Sequence, residues 1–190
     1  MTETCSKSAL LDSLPAPWPD DLQPSINAGV ASASDHKLVV LNDDPTGTQT
    51  VYDVPVLTEW PVDSLGGEFM NDLPCLYILT NSRSLAAEAA RALTREIARN
   101  LVAAAGSTSR FTVVSRSDST LRGHFPAETD ILEQELGPFD ATILIPFFEA
   151  GERYTINDTH YVGDGDRLFP GNVGGSNALA DIYDLFNHPN

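Results

Sequence analysis

Short apolar runs that break into loops crowded with hydroxyl, amide and charged side chains constrain this chain more than any other feature. Leu38–Leu41 runs into Asn42-Asp43-Asp44-Pro45-Thr46-Gly47, and Leu76–Leu79 into Thr80-Asn81-Ser82-Arg83-Ser84. Phe111–Val114 runs into Ser115-Arg116-Ser117-Asp118-Ser119-Thr120-Leu121-Arg122-Gly123-His124, and Ala141–Ile145 into Pro146–Arg153. Apolar, β-branched runs of this length bounded by polar turns read as buried strands. Between the second and third runs, Leu85, Ala89, Leu93, Ile97 and Leu101 recur every fourth residue. That row predicts a helix from Leu85 to Ala105, with Ser84 as its N-cap and Gly106 closing it. Pro126 suits the start of a second helix, Ala127–Leu136, with Glu128 and Asp130 in its first turn and Gly137-Pro138 stopping it. Strand, helix and strand in alternation imply parallel pairing through right-handed crossovers. The expected fold is α/β: a three-layer, mostly parallel sheet with helices on both faces, Rossmann-like, a single domain with extensions. Ligands of such sheets gather beyond the carboxyl ends of the strands, so the polar loops are expected to share one site.

The remaining segments read less sharply. Residues 1–35 form a Pro-, Ser- and Ala-rich extension in which Trp18 packs onto the domain and Leu22–Ala33 holds a short helix. Asp53–Trp60 is expected as a strand near a sheet edge because of Pro55. Pro61–Asp72, with Gly66-Gly67, reads as linker. Thr155–Val162 reads as a hairpin arm, and Ser176–Phe186 as a short helix. The net charge of −16 opposes binding to nucleic acid or to an anionic membrane surface. No apolar run is long enough to span a bilayer, and the first residues lack the basic segment and apolar run expected of a signal peptide. Cys5 and Cys75 have neither the number nor the spacing of a disulfide or metal framework, so a cytoplasmic location is expected.

Only 11 residues are Lys or Arg. Arg91, Arg95 and Arg99 read as a solvated stripe on one helix face. Arg83, Arg116, Arg122 and Arg153 fall in the strand-end loops, where planar guanidinium groups can grip an anion by two bonds at once. The competing reading is that they pair with Asp43, Asp44 and Asp118 simply to hold the loops. Asp43 and Asp44 can take a proton from a hydroxyl or hold Mg²⁺ through water; equally, one of them can cap a turn. No Gly-Lys-Ser/Thr follows Gly47, and no Gly-x-Gly-x-x-Gly fingerprint is present, so this loop gives no licence for a nucleotide. His124 and His160 could serve as ligands or acid–base groups, and are read first as hydrogen-bonded structural residues.

Asp43-Asp-Pro-Thr-Gly47, Asn81-Ser-Arg-Ser-Leu85 and Ser117-Asp-Ser-Thr-Leu-Arg-Gly-His124 together resemble the amino-terminal domain of the four-carbon acid sugar kinase family. Ile145-Pro-Phe-Phe-Glu149 and Thr159-His-Tyr-Val162 fit the same pattern, and the similarity covers Pro15 to Pro170. The resemblance implies the substrate-binding part of an ATP-dependent kinase acting on threonate, erythronate or a 3-oxo-tetronate. It implies that Asp44 or Asp43 lies at the phosphorylated hydroxyl. Arg83, Arg116 and Arg122 would hold the substrate carboxylate, and Asp118, Ser119 and Thr120 its hydroxyls, with Ser84 and Gly123 in the same contact set. ATP and Mg²⁺ are expected for the complete enzyme and none for this chain alone, with no protein-held metal. The partner is then an ATP-binding domain in cis or in trans. Asn42 stands where relatives carry a third acidic residue, and Ser117 where a smaller residue is expected. The substrate-binding domain is expected over residues 36–170. Residues 171–190 are expected to depart from the family, which is the pattern of a fragment, an altered gene model or a split protein. A non-catalytic sugar-acid-binding module or an inactive truncated product is the alternative.

Overall fold

The structure is a computed structural model of the 190-residue chain and describes residues 4–33, 35–49, 51–107, 109–118, 123–157 and 159–171. In chain order its elements are β1 (Cys5–Ser6), α1 (Lys7–Asp12), α2 (Gln23–Ser32), β2 (His36–Asn42), β3 (Val56–Leu57), α3 (Val62–Met70), β4 (Cys75–Leu79), α4 (Ala87–Ala105), β5 (Arg110–Arg116), α5 (Ala127–Leu136), β6 (Arg153–Ile156), β7 (Thr159–Asp164) and β8 (Arg167–Pro170). They fall into two compact units. A parallel unit takes the described residues of Asp21–Ser117 and Gly123–Thr142. An antiparallel unit takes those of Met1–Asp20, Asp118–Arg122 and Ile143–Asn190.

The parallel unit has the α/β class read from the sequence. Its strands run β3-β4-β2-β5, each pair parallel, with Val39 opposite both Leu76 and Val113. Side chains alternate across a strand, so Val39 and Leu41 share a face with Leu76 and Ile78. On that face they meet Leu65 of α3, Ile97, Ala98 and Leu101 of α4, and Leu132 of α5. Crossovers β3-α3-β4 and β4-α4-β5 step the same way across the sheet, and a right-handed connection therefore puts both helices on one side. The opposite face keeps Leu38 and Val114 exposed, and α2 buries no residue. Strand β3 lies at the edge, as Pro55 required.

Several local expectations change. The supposed linker contains α3, whose Leu65 is fully buried with Phe69 packed beside it. Gly66 and Gly67 concealed that helix; both face open space. The buried line of α4 is Ala90, Thr94, Ile97, Ala98, Leu101 and Ala105, while Leu85 and Ala89 are exposed. Thr94 can join it because its hydroxyl donates to the Ala90 carbonyl at 2.9 Å. Ser84 is not the cap of α4: Ala86 is, without a side-chain bond. Ser84 Oγ donates instead to the Asn81 carbonyl at 2.9 Å. Arg95 and Arg99 are not a merely solvated pair. Their Nε atoms reach Glu135 of α5 at 3.1 and 2.9 Å, so one carboxylate joins the two helices. The bond from Arg99 holds the Glu135 carboxyl below the usual range. Residues 141–147 form no strand, and Ile143 and Ile145 are exposed. Apolar, β-branched composition marks a segment as able to pair, but a ladder also requires a partner.

In the antiparallel unit the order is β1-β8-β7-β6. The expected hairpin arm is β6–β7, and Tyr154, Ile156 and Leu168 form the core with Cys5, Leu10 and Tyr161 against it. Residues of the amino-terminal segment are tied in. Ser8 N and Ser6 Oγ both donate to Asp166 at 2.8 Å, and Lys7 Nζ pairs with Glu152 at 2.9 Å. Cys5 and Cys75 are free thiols. No described helix is long and apolar enough to cross a membrane. The helix expected at Ser176–Phe186 lies outside the described residues.

Candidate functional site

The candidate site is assembled at the carboxyl ends of β2, β4 and β5 in the parallel unit. Strand β2 ends at Asn42, and the next two residues turn away from the sheet. Asp43 is 3% exposed and Asp44 begins a 3₁₀ turn, Pro45–Thr48. The Asp44 carboxylate accepts from Thr46 N at 2.8 Å and from the Thr46 hydroxyl, which is how an Asp before Pro caps a short turn. After β4, Asn81 adopts φ 51° and ψ 27°, a left-handed conformation that Asn tolerates better than most residues. The following turn, Ser82–Ser84, carries Arg83 back toward β2.

Arg83 stands between the two carboxylates. Its Nε donates to Asp43 Oδ2 at 3.0 Å and its Nη2 to Oδ1 at 2.8 Å, a two-bond fork. Its Nη1 lies 3.2 Å from Asp44 Oδ2. Ser117 Oγ adds a third bond to Asp43 Oδ2 at 3.0 Å. The backbone closes the same loop, with Arg83 N donating to the Asp43 carbonyl at 3.2 Å. The pairing that the sequence left open as a purely structural alternative is therefore present for Arg83. Asp44 remains the more accessible carboxylate, with a quarter of its side chain exposed against 4% for Asp43.

Arg116, at the end of β5, is placed differently. Its Nη1 donates to Asn42 Oδ1 at 3.2 Å, and Asn42 Nδ2 donates to the Asp44 carbonyl at 2.6 Å. A fully buried neutral amide thus joins this arginine to the aspartate loop without cancelling its charge. Two glycines are needed for the close fit. A Cβ on Gly47 would run into the Asn42 amide and the Arg116 guanidinium. One on Gly123 would run into Ser117 Oγ and stand 3.0 Å from Asp43 Oδ2. The structure brings together Asp43, Asp44, Arg83, Arg116 and Gly123, and leaves Ser84 exposed beside them. Asp118 belongs to the antiparallel unit, and Ser119, Thr120 and Arg122 lie outside the described residues.

Two ionisable groups are buried beyond what the sequence indicated. Glu128, in the first turn of α5, is 7% exposed. Burial pushes its carboxyl above the ordinary range, against the opposing pull of the Ser82 hydroxyl and His124, while nearby Asp43 adds to the rise. His124 itself donates from Nε2 to the Ser82 carbonyl at 3.0 Å, the structural role expected of it. In the antiparallel unit, His160 is 2% exposed. Thr155 gives its hydroxyl proton to the Pro146 carbonyl, so it accepts from His160 Nδ1 at 3.0 Å. His160 Nε2 is buried without a partner among the described residues. Burial, with Arg153 nearby, pushes this imidazole below its usual value, partly offset by Asp118. Among the described residues no three His, Cys, Asp or Glu side chains are grouped to hold a metal ion.

The sequence profile of the sugar-binding N-terminal domain family matches residues 38–173, which include every described residue of the aspartate–arginine cluster. The chain belongs to this family, the N-terminal domain of the four-carbon acid sugar kinases. As a member, it carries the sugar-binding domain of a sugar kinase family. No curated protein matches the chain closely enough to count as a relative.

Proposed function

We propose that the cluster binds a four-carbon sugar acid of the threonate or erythronate type and presents one hydroxyl for phosphorylation. A small polyhydroxy anion needs a guanidinium for its carboxylate and carboxylate acceptors for its hydroxyls, side by side. One observation carries the reading: Arg116 is bonded to the neutral Asn42, next to Asp44, and so keeps a positive charge for the ligand. Arg83 serves differently from the expectation. Its fork to Asp43 and its contact with Asp44 fix both carboxylates rather than the substrate. Asp44, the more exposed of the two, is the acceptor for the reacting hydroxyl, and Asp43 is its anchor.

The transferred phosphoryl group would come from ATP on a nucleotide-binding domain supplied in cis or in trans. Asp43 and Asp44 are both committed to Arg83, and this donor set does not fit a Mg²⁺ cage. The chain's own residues are accordingly given the sugar acid alone.

Calorimetric titration of the chain with threonate and erythronate tests the reading, with succinate as the acid lacking hydroxyls. The expected result is binding of the hydroxy acids, lost in Arg116→Ala. Asn42→Asp should also weaken it at least tenfold, because a carboxylate there would pair with Arg116. Absence of binding by the folded wild-type chain to either acid would sink the assignment. In a complex reconstituted with the nucleotide domain, Asp44→Ala should abolish phosphorylation while Arg116→Lys raises KM.

A further inference from the structure

We propose that the uncovered face of the parallel sheet is a docking surface for a second copy of this chain, with α2 of each copy laid across the sheet of the other. Two unmet requirements within the parallel unit point there. The first belongs to the sheet. On the face away from Val39 and Leu41, the residues Val56, Tyr77, Val40 and Val114 fall in register, so one apolar row crosses all four strands. Leu38 lies on the same face, two residues before Val40. Val56 and Val114 are each 40% exposed and Leu38 38%. Parallel sheets occur almost only with both faces covered. The second requirement belongs to α2. Each of its ten residues is exposed. An isolated helix shorter than about 12–15 residues is marginal in water, so α2 needs a surface to lie on. It offers an apolar stripe for one: Leu22 at the N-cap, Ile26 and Val30 recur every fourth residue, and all three are more than half exposed.

Three observations select a second copy as the occupant. The turn from α2 into β2 is closed: Ala33 N donates to the Val30 carbonyl at 3.1 Å, and His36 N to the Ala33 carbonyl at 2.9 Å. Arg110 Nη2 holds both Asp35 oxygens, at 2.9 and 2.7 Å. With its turn fixed in this way, α2 buries nothing on the sheet it precedes. The second observation is charge. At a net charge of −16 two copies repel each other wherever charged surfaces meet. Gln23–Ser32 carries no charged side chain, and neither does the apolar row, so these are surfaces that two copies can bring together. The third is area. A two-fold exchange uses the same pair of faces twice, so each copy gives a helix and receives one. That doubling raises a single helix-on-sheet contact toward the roughly 1,200 Å² that a stable interface buries.

The test asks whether the contact forms between chains. Sedimentation equilibrium of the full chain should show a species of twice the chain mass. Ile26→Asp changes an exposed position away from the packed face of the sheet. It should raise the dimer dissociation constant at least tenfold while the chain still melts cooperatively. Linkage supplies a second reading that needs no destabilising change. With Cys5→Ala and Cys75→Ala as background, a chain carrying Ile26→Cys is mixed with one carrying Val114→Cys and oxidised. A disulfide should join one chain of each kind, identified by mass. In a chain carrying both cysteines, the bond should again form between copies. A bond closed within one chain would show that α2 covers its own sheet, and overturns the proposal. A wild-type chain that stays monomeric up to high micromolar concentration overturns it too. So does a dimer that Ile26→Asp leaves unchanged, or one in which the mixed disulfide fails to form, because such a dimer uses another face. Neither arm involves a sugar acid, so the result is independent of the ligand assignment.

Discussion

Removing Arg83 should strand a carboxylate inside the parallel unit, and the size of the penalty follows from the geometry. Asp43 has 4% of its side chain exposed and takes two bonds from Arg83, at 3.0 and 2.8 Å; among the described residues Ser117 is the other side-chain donor to it. Breaking a buried pair by deleting one partner costs about 3–5 kcal/mol. Arg83 is 24% exposed, so water entering its vacated place lowers this to about 2–3 kcal/mol for Arg83→Ala. Asp43→Asn, which keeps the shape and leaves Arg83 its contact with Asp44, should cost about 1–2 kcal/mol. In the double variant no charge is stranded beside Asp43, so its loss should fall short of the sum of the two single losses by about 1–2 kcal/mol. Urea unfolding measures this, followed by the fluorescence of Trp60, which packs against the core and donates to Glu96 at 3.0 Å. Trp18, the other tryptophan, is exposed and can be replaced by Phe in all variants. Strict additivity, or a loss below about 0.5 kcal/mol in Arg83→Ala, would show that the fork seen here is not what holds the loops.

Other outcomes follow from the same contacts. Leu65→Ala should lose about 3 kcal/mol in the same assay, because the fully buried side chain anchors α3, the helix that its glycines disguise. Gly123→Ala should weaken threonate binding about tenfold in calorimetry, since its Cβ would displace Ser117 and crowd Asp43, a cost of about 1.4 kcal/mol. His160 should make the antiparallel unit acid-sensitive. Its folded pKa is pushed below the ordinary 6.5, so the unfolded chain binds the extra proton, and stability is lost as pH falls from that value toward the folded one. Melting temperatures between pH 5 and 8 should show this loss, and His160→Gln should flatten it.

The sequence by itself determined the parallel sheet and the identity of the loops that meet at its end. Apolar runs set β2, β4 and β5 to within two residues, because short apolar, β-branched runs bounded by polar turns favour strands. Helix α5 falls at Ala127–Leu136, as its flanking Pro126 and Gly137-Pro138 dictate. That Asp43, Asp44, Arg83 and Arg116 come together was legible because all four fall in loops at the carboxyl ends of neighbouring strands. Tertiary structure alone decided their division of labour. Arg83 faces carboxylates and Arg116 faces an amide, although both are arginines in comparable loops, because pairing is set by which strand ends are neighbours. The same holds for Glu128, which the sequence places only as an acid in a first helical turn. Only packing of α5 over the sheet turns that position inward, buries the carboxyl and raises its pKa. Periodicity specifies which residues share a face, but the depth of burial on that face depends on contacts between segments distant in the chain.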